Sequence, residues 1–424
     1  MSEWLFTHLE NLADISSGGT PSRDESAFWG GEIAWVTPTD ITQCKTNYLF
    51  HTQSYITKKG LTASSAKLLP VGTLLLTSRA TIGEVKIAAQ PLTTNQGFKS
   101  LIPRKIFGDF LFYQVIRLRN EFLRYAAGST FLEINRKDTG RILIPHPSDS
   151  VEQQKIAKIL KTIDRAIEST QALIEKYQLI KAGLMHDLFT RGIGADGKLR
   201  PPREAAPELY QETAIGWIPK EWELPKIGEI FSLQLGKMLS QVAKTGKAEL
   251  PYLGNKNVQW NEFDFTTLET MSFSEPEKEK FKLIYGDLLV CEGGDVGRSA
   301  IWKDELSECY YQKAIHRLRP INKKVLPSFA LRFMHYAKST GILLNFTSQT
   351  SIAHLTREKL AEVPIFLPSL LEQEILTKKF DLVDVRISTE IKLLEKLRKQ
   401  KAGLMHDLLT GKVKVKVDDD ESDN

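Results

Sequence analysis

Apolar residues along two stretches of the chain recur at alternating spacings of four and three. In the first they fall at Ile156, Leu160, Ile163, Ile167, Ile174, Tyr177, Leu184 and Leu188. In the second they fall at Leu376, Phe380, Val383, Ile387, Leu394, Leu397, Leu404 and Leu408. A seam of that period, held over several heptads, predicts a helix that pairs with another helix. Polar residues interrupt both seams at matching places, Thr170 and Glu390, then Lys181 and Lys401. Such residues cost stability but help to fix register and partner. About 40 residues of helix span about 60 Å, which suits a free-standing pair better than a helix lying on a globular core.

The two stretches are copies. At an offset of 220, residues 152–190 and 372–410 agree at 17 of 39 positions. The run KAGLMHDL occurs whole at 181–188 and again at 401–408. Internal repeats set the frame for everything else, and this one extends upstream. GTLLLTSRATIGEVKI (72–87) resembles GDLLVCEGGDVGRSAI (286–301), and ILIPHPS (142–148) resembles VPIFLPS (363–369). Trp4, Leu9 and Leu12 match Trp222, Ile227 and Ile230. Each half is therefore a variable domain of roughly 150 residues followed by a better matched helix.

Pro147-Ser148 and Pro368-Ser369, with Glu152 and Glu372 in the first turn, mark the helix starts. Thr190-Arg191-Gly192 and Thr410-Gly411 mark the ends. KAGLMHDL thus forms the last two turns of each helix. Gly183 and Gly403 lie inside it, where Gly costs about 1 kcal/mol relative to Ala. A close contact that tolerates no side chain is one reason to keep them, and simple inheritance from the duplication is another. Lys181, Gly183, His186, Lys401, Gly403 and His406 are the expected interface residues, the histidines structural rather than catalytic. The neighbour seated there is expected to be either the globular domain of the other half or a separate subunit.

Residues 191–216, rich in Gly, Pro and charge, have no apolar period and read as loop. A linker of that length favours antiparallel helices, because domain two then starts beside the end of helix one. The predicted divisions are 1–150, helix 151–190, linker 191–216, 217–370, helix 371–410, and a charged tail 411–424 expected to stay unfolded. The predicted class is α/β (α+β): two globular mixed α/β domains separated by two long helices that pair as an antiparallel coiled coil, with a pseudo-twofold internal repeat.

In the globular domains, polar and basic residues cluster where short β-like runs end. The first domain offers Thr20, Ser22 and Arg23, then Thr37 and Thr39, then Thr77, Ser78 and Arg79, then Asn95, Gln96 and Lys99, and Arg136 in FLEINRK. The second offers Asn255, Lys256 and Asn257, then Arg298, then Gln312, Lys313, His316 and Arg317, then Gln349, Thr350, His354 and Arg357. Arg suits guanine, Asn and Gln suit adenine, and hydroxyls suit phosphate. Ordinary polar surface loops have the same composition, so both readings stand at this point.

Composition narrows the field. Hydrophobic content of 42% and charge of 26% fit a globular protein with ample core. No apolar run approaches the roughly 20 residues of a membrane span, and the start lacks the basic-then-apolar pattern of a secretory signal. Cys44, Cys291 and Cys309 form no CxxC pair, so neither a disulfide frame nor a zinc site is expected. Net charge is +5, although DDDESDN at the end is strongly acidic, so the body is basic and favours an anionic partner. Catalytic signatures are missing. No [DNS]PP[YFW] run occurs, GKA at 246–248 is not a phosphate-binding loop, and GGDVG at 293–297 fails GxGxxG spacing.

Taken together, the chain resembles the specificity (S) subunits of Type I restriction–modification systems. The resemblance covers nearly the whole length. It rests on the duplicated KAGLMHDL ends, the entry IGWIPKEWELPKIGEI (215–230), the SRATIG and NQGF loops, and the LPS junction into the helix. Domain one starts at Trp4 without the GWIPKEW lead-in, which leaves its boundary open. The resemblance implies two target-recognition domains, each reading one half of an asymmetric bipartite double-stranded DNA target. It implies two long spacer helices and docking of two methyltransferase (M) subunits, with restriction/motor (R) subunits joining the assembly. It implies no catalytic residues, metal or cofactor in this chain. S-adenosylmethionine, ATP and Mg are expected on the partner subunits, and the complex is expected in the cytoplasm. The alternatives are a stand-alone DNA-modifying or cleaving enzyme with unusual motifs, or a coiled-coil adaptor that binds only protein.

Overall fold

A computed structural model describes residues 3–128, 132–240, 243, 249–347 and 354–415. The chain forms two compact units, Met1–Leu173 with Glu390–Asn424, and Ile174–Thr389. Both cuts fall inside long helices, which run Ser150–Thr190 and Leu370–Leu409. Each unit thus holds one globular domain, the first half of its own long helix and the last turns of the other.

In the first unit, strands pair in the order Ala13–Ser17, Lys99–Pro103, Leu74–Leu76, Val85–Ala88, Tyr48–Leu49. A smaller sheet pairs Ser54–Ile56, Trp29–Val36 and Leu92–Thr94. Trp4–His8 lies antiparallel to Leu143–Pro147, with Trp4 opposite Pro147. This ribbon brings the start of the domain to its exit into the helix. The main strands are short and buried on both faces, as at Leu74, Leu75 and Leu76, so they read as apolar runs without alternation. Ile156 and Leu160 from the first long helix and Leu408 and Leu409 from the second close this core. Two short helices follow the last main strand, Gly108–Arg117 and Arg119–Arg124.

The second unit repeats the plan. Phe231–Leu235, Ile315–Pro320, Leu288–Cys291 and Ser299–Ile301 pair in the order of their counterparts, with Glu249–Leu253 central to a smaller sheet. Its core is aromatic. Phe189, at the end of the first long helix, stacks on Tyr336 and Phe380 with ring centroids 4.9 and 5.7 Å apart. The helix Pro327–Ser339 ends just before a glycine. Gly341, at φ 77°, turns the chain into a separate short 3-10 segment, Ile342–Phe346.

Every seam position is buried or half-buried, Ile163, Ile167, Val383 and Ile387 among the half-buried ones. Ile156, Leu160, Thr170, Ile174 and Leu188 are buried on one helix, and Leu376, Phe380, Glu390, Leu394 and Leu408 on the other. The pairing is antiparallel in each unit. Lys401 Nζ meets Asp164 Oδ1 at 2.6 Å in the first, and Arg386 Nε donates to Tyr177 Oη at 3.2 Å in the second.

The linker differs from the expected plain loop. Tyr210–Thr213 pairs with Gly216–Pro219, and Ile193 bridges Leu199. The physical reason is Glu372, buried in the first turn of the second long helix. Its carboxylate accepts from Ile193 N at 2.7 Å, Arg200 Nη1 at 2.6 Å and Trp222 Nε1 at 3.1 Å. A buried carboxylate needs several donors, and here the linker supplies most of them. The acidic end of the tail, 418–424, lies outside the described residues.

Candidate nucleic-acid interface

The loops at the strand ends of the first unit are built around a hydroxyl, a carboxylate and a tight turn. Thr77 Oγ1 donates to Thr81 O at 2.6 Å and receives Glu84 N at 3.1 Å. This closes TSRATIG with Ala80 at φ 57°, a left-handed position that Gly294 occupies, at φ 75°, in the matching loop of the second unit. Ser78 N donates to Gly97 O at 2.7 Å, and Ile134 N to Ser78 O at 3.1 Å. Three loops, 77–84, 93–99 and 132–137, are thereby tied together.

Glu133 sits where they meet. It accepts Arg79 Nε at 2.8 Å and Lys99 Nζ at 3.1 Å. Burial alone would raise its pKa. The two cations outweigh that and hold its carboxyl below the usual carboxylate range.

The candidate residues of this unit divide by exposure. Ser22, Arg23, Thr39, Arg79, Gln96 and Arg136 are exposed, and Thr20, Thr37 and Asn95 are partly so. Thr20 and Gln96 hydrogen-bond each other. Thr37 caps the helix Pro38–Gln43, donating to Asp40 Oδ2 at 2.7 Å. Thr77, Ser78 and Lys99 are buried. The expectation that these three face a ligand is corrected: they hold the loops from within.

The second unit divides likewise. Lys256, Lys313, His354 and Arg357 are exposed, and Asn255, Arg298 and Gln312 are partly so. Arg298 Nη2 donates to Asn255 O at 2.6 Å and to its Oδ1 at 2.9 Å, joining two loops. Asn257, His316 and Arg317 are buried, again a correction. Asn257 Oδ1 accepts Gly254 N at 2.8 Å, His316 Nε2 lies 2.8 Å from Leu355 O, and Arg317 Nη1 donates to Lys280 O at 3.0 Å. Burial lowers the His316 pKa. Gln349 and Thr350 lie outside the described residues.

Sequence reading missed a second cluster here. His335 stacks on Trp260 with centroids 4.2 Å apart, and its Nε2 lies 2.8 Å from Asn261 Oδ1. Asp295 accepts Trp260 Nε1 at 2.7 Å and pairs with Lys338 at 2.8 Å. Burial, with Lys181 and Arg332 nearby, lowers the His335 pKa to about 4. These residues are scattered between positions 260 and 338, and no local motif announces them.

At the helix ends, Lys181 and Lys401 turn inward to Asp384 and Asp164 of the other long helix, an interface within the chain. Gly183 and Gly403 have nothing within 4 Å of an added Cβ. The glycines themselves make no close approach, yet the same turns do seat the other half's globular domain: Met185 and Leu188 lie in the core of the second domain and Leu408 in that of the first. His186 and His406 are exposed.

Chemistry-bearing groups are subdued. Burial raises the Cys291 and Cys309 thiols to about 11 and about 12, which keeps them protonated and poor nucleophiles. Among the described residues no group of three or more His, Cys, Asp or Glu could hold a metal ion. No described helix is long and apolar enough to cross a membrane.

Two α/β modules of one sheet plan, with unlike loop chemistry and each fused to part of a long helix pair, define a class: duplicated recognition modules on a helical scaffold. Comparison with known proteins names the family. A family profile described as Type I restriction modification DNA specificity domain matches residues 1–178 and 219–399. The specificity subunit of the Type I restriction enzyme MjaIX of Methanocaldococcus jannaschii is 33% identical over 242 residues, 56% of this chain and 54% of that protein. The chain thus spans about half the length of that relative. The EcoR124I/EcoR124II specificity subunit of Escherichia coli is 29% identical over 180 residues, 40% of this chain and 44% of that protein. The crystal structure of a Type I S subunit from M. genitalium shares the fold, with a TM-score of 0.58, 18% identity and 96% of each chain covered. The chain belongs to the family of Type I restriction–modification DNA specificity proteins.

Proposed function

We propose that this chain gives a Type I restriction–modification complex its DNA sequence specificity. Each recognition domain reads one half of an asymmetric bipartite target. The helix pair sets the gap and docks two methyltransferase subunits, and restriction subunits join through the assembly. S-adenosylmethionine, ATP and Mg belong to those partners, and the work is done in the cytoplasm. The observation that carries this reading is one sheet plan used twice with different loop residues: Arg79 in the TSRATIG turn of the first domain aligns with Gly293 in the CEGGDVG turn of the second. Two readers that share a frame but differ in their loops suit two unlike half-targets.

Specificity here needs base-edge contacts, with cations on phosphates for position. Lys256, Lys313, Arg23 and Arg136 are exposed and suited to the latter. Binding should weaken steeply with salt, because releasing counterions gains less entropy as the bulk salt rises.

The test exchanges residues 1–150 for those of a relative, assembles the complex and maps methylated adenines in host DNA. One changed half-target is expected, with the other half and the gap kept. Change in both halves would refute the assignment of one domain to one half. Methyl transfer by the purified chain alone would favour a stand-alone enzyme.

A further inference from the structure

We propose that Glu133 and Arg79 form a buttressed guanine reader in the first recognition domain, with Arg79 touching the base and Glu133 acting as its positioning residue. This rests on the DNA-reading role above and deepens it to a named base and a named side chain.

Arginine discriminates guanine by giving two parallel N–H groups to O6 and N7. A free guanidinium on a flexible stem must first be fixed in place. Glu133 does this. Its Oε2 accepts Arg79 Nε at 2.8 Å. The Arg79 Nη1 and Nη2 groups, at the far end of the fork, have no partner among the described residues. The side chain is 45% exposed while its Nε is engaged from behind.

The buttress is itself fixed. Glu133 Oε1 takes the Nζ of Lys99, which is 7% exposed and also donates to Ser78 Oγ at 3.2 Å. The backbones are fixed too: Glu133 N donates to Ala127 O and Ala127 N to Glu133 O, each at 3.0 Å. Beside the fork, Ala80 holds its left-handed turn. Strain at an exposed loop tip that is tied at both ends is a mark of a functional position.

Charge makes the arrangement selective. With Lys99 behind it, the Glu133 carboxylate is neutralised on its inner side, so it holds Arg79 without repelling a phosphate backbone as a free acid would. With Nε engaged, the remaining two-pronged edge is Nη1 with Nη2. That edge matches the O6/N7 pair of guanine, whereas adenine presents a donor at the O6 position. The second domain lacks the device: Gly293 aligns with Arg79, and the neighbouring Arg298 is tied to Asn255. The reader should therefore act on one half-target only.

The test uses the complex of this chain with its own methyltransferase subunits. Its target is first read from methylated adenines. Each base pair of that target is then substituted in turn, and duplex binding is measured for wild type, Arg79→Lys and Glu133→Gln. The wild type should prefer guanine at one position of the first half-target. Arg79→Lys keeps the charge but loses the fork. It should lower that preference on the order of 5- to 150-fold, while other positions and the second half-target stay unchanged. Glu133→Gln should relax the same position by a smaller factor. The unchanged second half-target shows that each variant is folded.

If Arg79→Lys leaves every position as it was, or weakens all duplexes alike, the fork serves phosphate or solvent and the proposal fails. If Glu133→Gln relaxes no position, or a different one, the positioning role fails. A wild-type complex without sequence preference would instead remove the DNA-reading role itself.

Discussion

Lys181 Nζ lies 2.5 Å from Asp384 Oδ1, joining the end of the first long helix to the start of the second. Lys401 and Asp164 repeat the pair, each offset by 220 residues from its counterpart and in opposite directions. Around Asp384 the partner is Arg332, 8% exposed, whose Nη1 reaches Oδ2 at 2.6 Å. Around Asp164 they are Tyr113 Oη at 2.7 Å and Asn47 Nδ2 at 2.6 Å. One seam position thus fixes register in both units by locally different means. Removing one member of a mostly buried pair strands the others. Asp384→Asn should destabilise the chain by about 1–3 kcal/mol, whereas Asp381→Asn, on the exposed side of Arg332, should cost less than about 1 kcal/mol. Denaturant titration by tryptophan fluorescence measures both. Equal losses would mean that Asp384 does not hold the register.

The glycines in KAGLMHDL make opposite demands on the free chain and on the complex. An added Cβ at Gly183 or Gly403 meets nothing within 4 Å, so Ala there should gain helix propensity without a clash. Gly183→Ala and Gly403→Ala should each stabilise the isolated chain by about 1 kcal/mol. Should these turns seat the methyltransferase subunits, the pair Gly183→Leu with Gly403→Leu should leave the chain folded but abolish co-elution in gel filtration. Undiminished assembly and methylation would mark the glycines as relics of the duplication.

The helices were legible because their signal is local and periodic. Ile156, Leu160, Ile174 and Leu188 face one way by spacing alone, and they are buried. The sheets were not legible, because strands such as Leu74–Leu76 are three residues long, buried throughout, and paired with partners such as Leu101 far along the chain. The site was legible in part. Arg79, Arg136 and Lys313 lie in turn-like runs and are exposed. Lys99 and Arg317 looked the same in sequence, yet fold inward onto Glu133 and Lys280 O. Sequence spacing does not reveal which cation finds an acceptor 34 or 37 residues away. Glu133, inside FLEINRK, gives no such signal in sequence, because it contacts Arg79 and Lys99, 54 and 34 residues away, and is itself no donor to DNA.

Acid should loosen the second unit before it touches the carboxylates. Burial holds His335 near 4 and lowers His316, against about 6.5 when unfolded. Between about pH 6.5 and 4 the unfolded chain binds more protons, so stability rises with pH across that window and is complete above it. The groups facing His335 are Lys181, Arg332, Asp384, Trp260 and Asn261. The pKa of Asp384 and Asp295 is lowered, because ion pairs outweigh burial. Their contribution is therefore lost only below about pH 4. The denaturation midpoint should fall from pH 7 to pH 4.5, and His335→Gln should flatten that fall in part. An unchanged slope in the variant would show that His335 does not titrate in this range.

Two antiparallel helices can be lengthened together without disturbing the pairs at either end. The unit boundaries fall at Leu173/Ile174 and Thr389/Glu390. Lys181–Asp384 lies wholly on one side of those points, and Lys401–Asp164 wholly on the other. Seven residues inserted at both points add about 10.5 Å of helix and return the seam to its face within about 20°. If the pair sets the gap, the spacing between methylated half-targets should grow by about three base pairs, with both half-targets kept. The same insertion in one helix alone shifts seam residues such as Leu394 out of register with the other helix. It should lower stability and assembly rather than change the gap. Mapping methylated adenines separates these outcomes, and an unchanged gap with a folded, active double insertion would show that spacing is set elsewhere than in the helices.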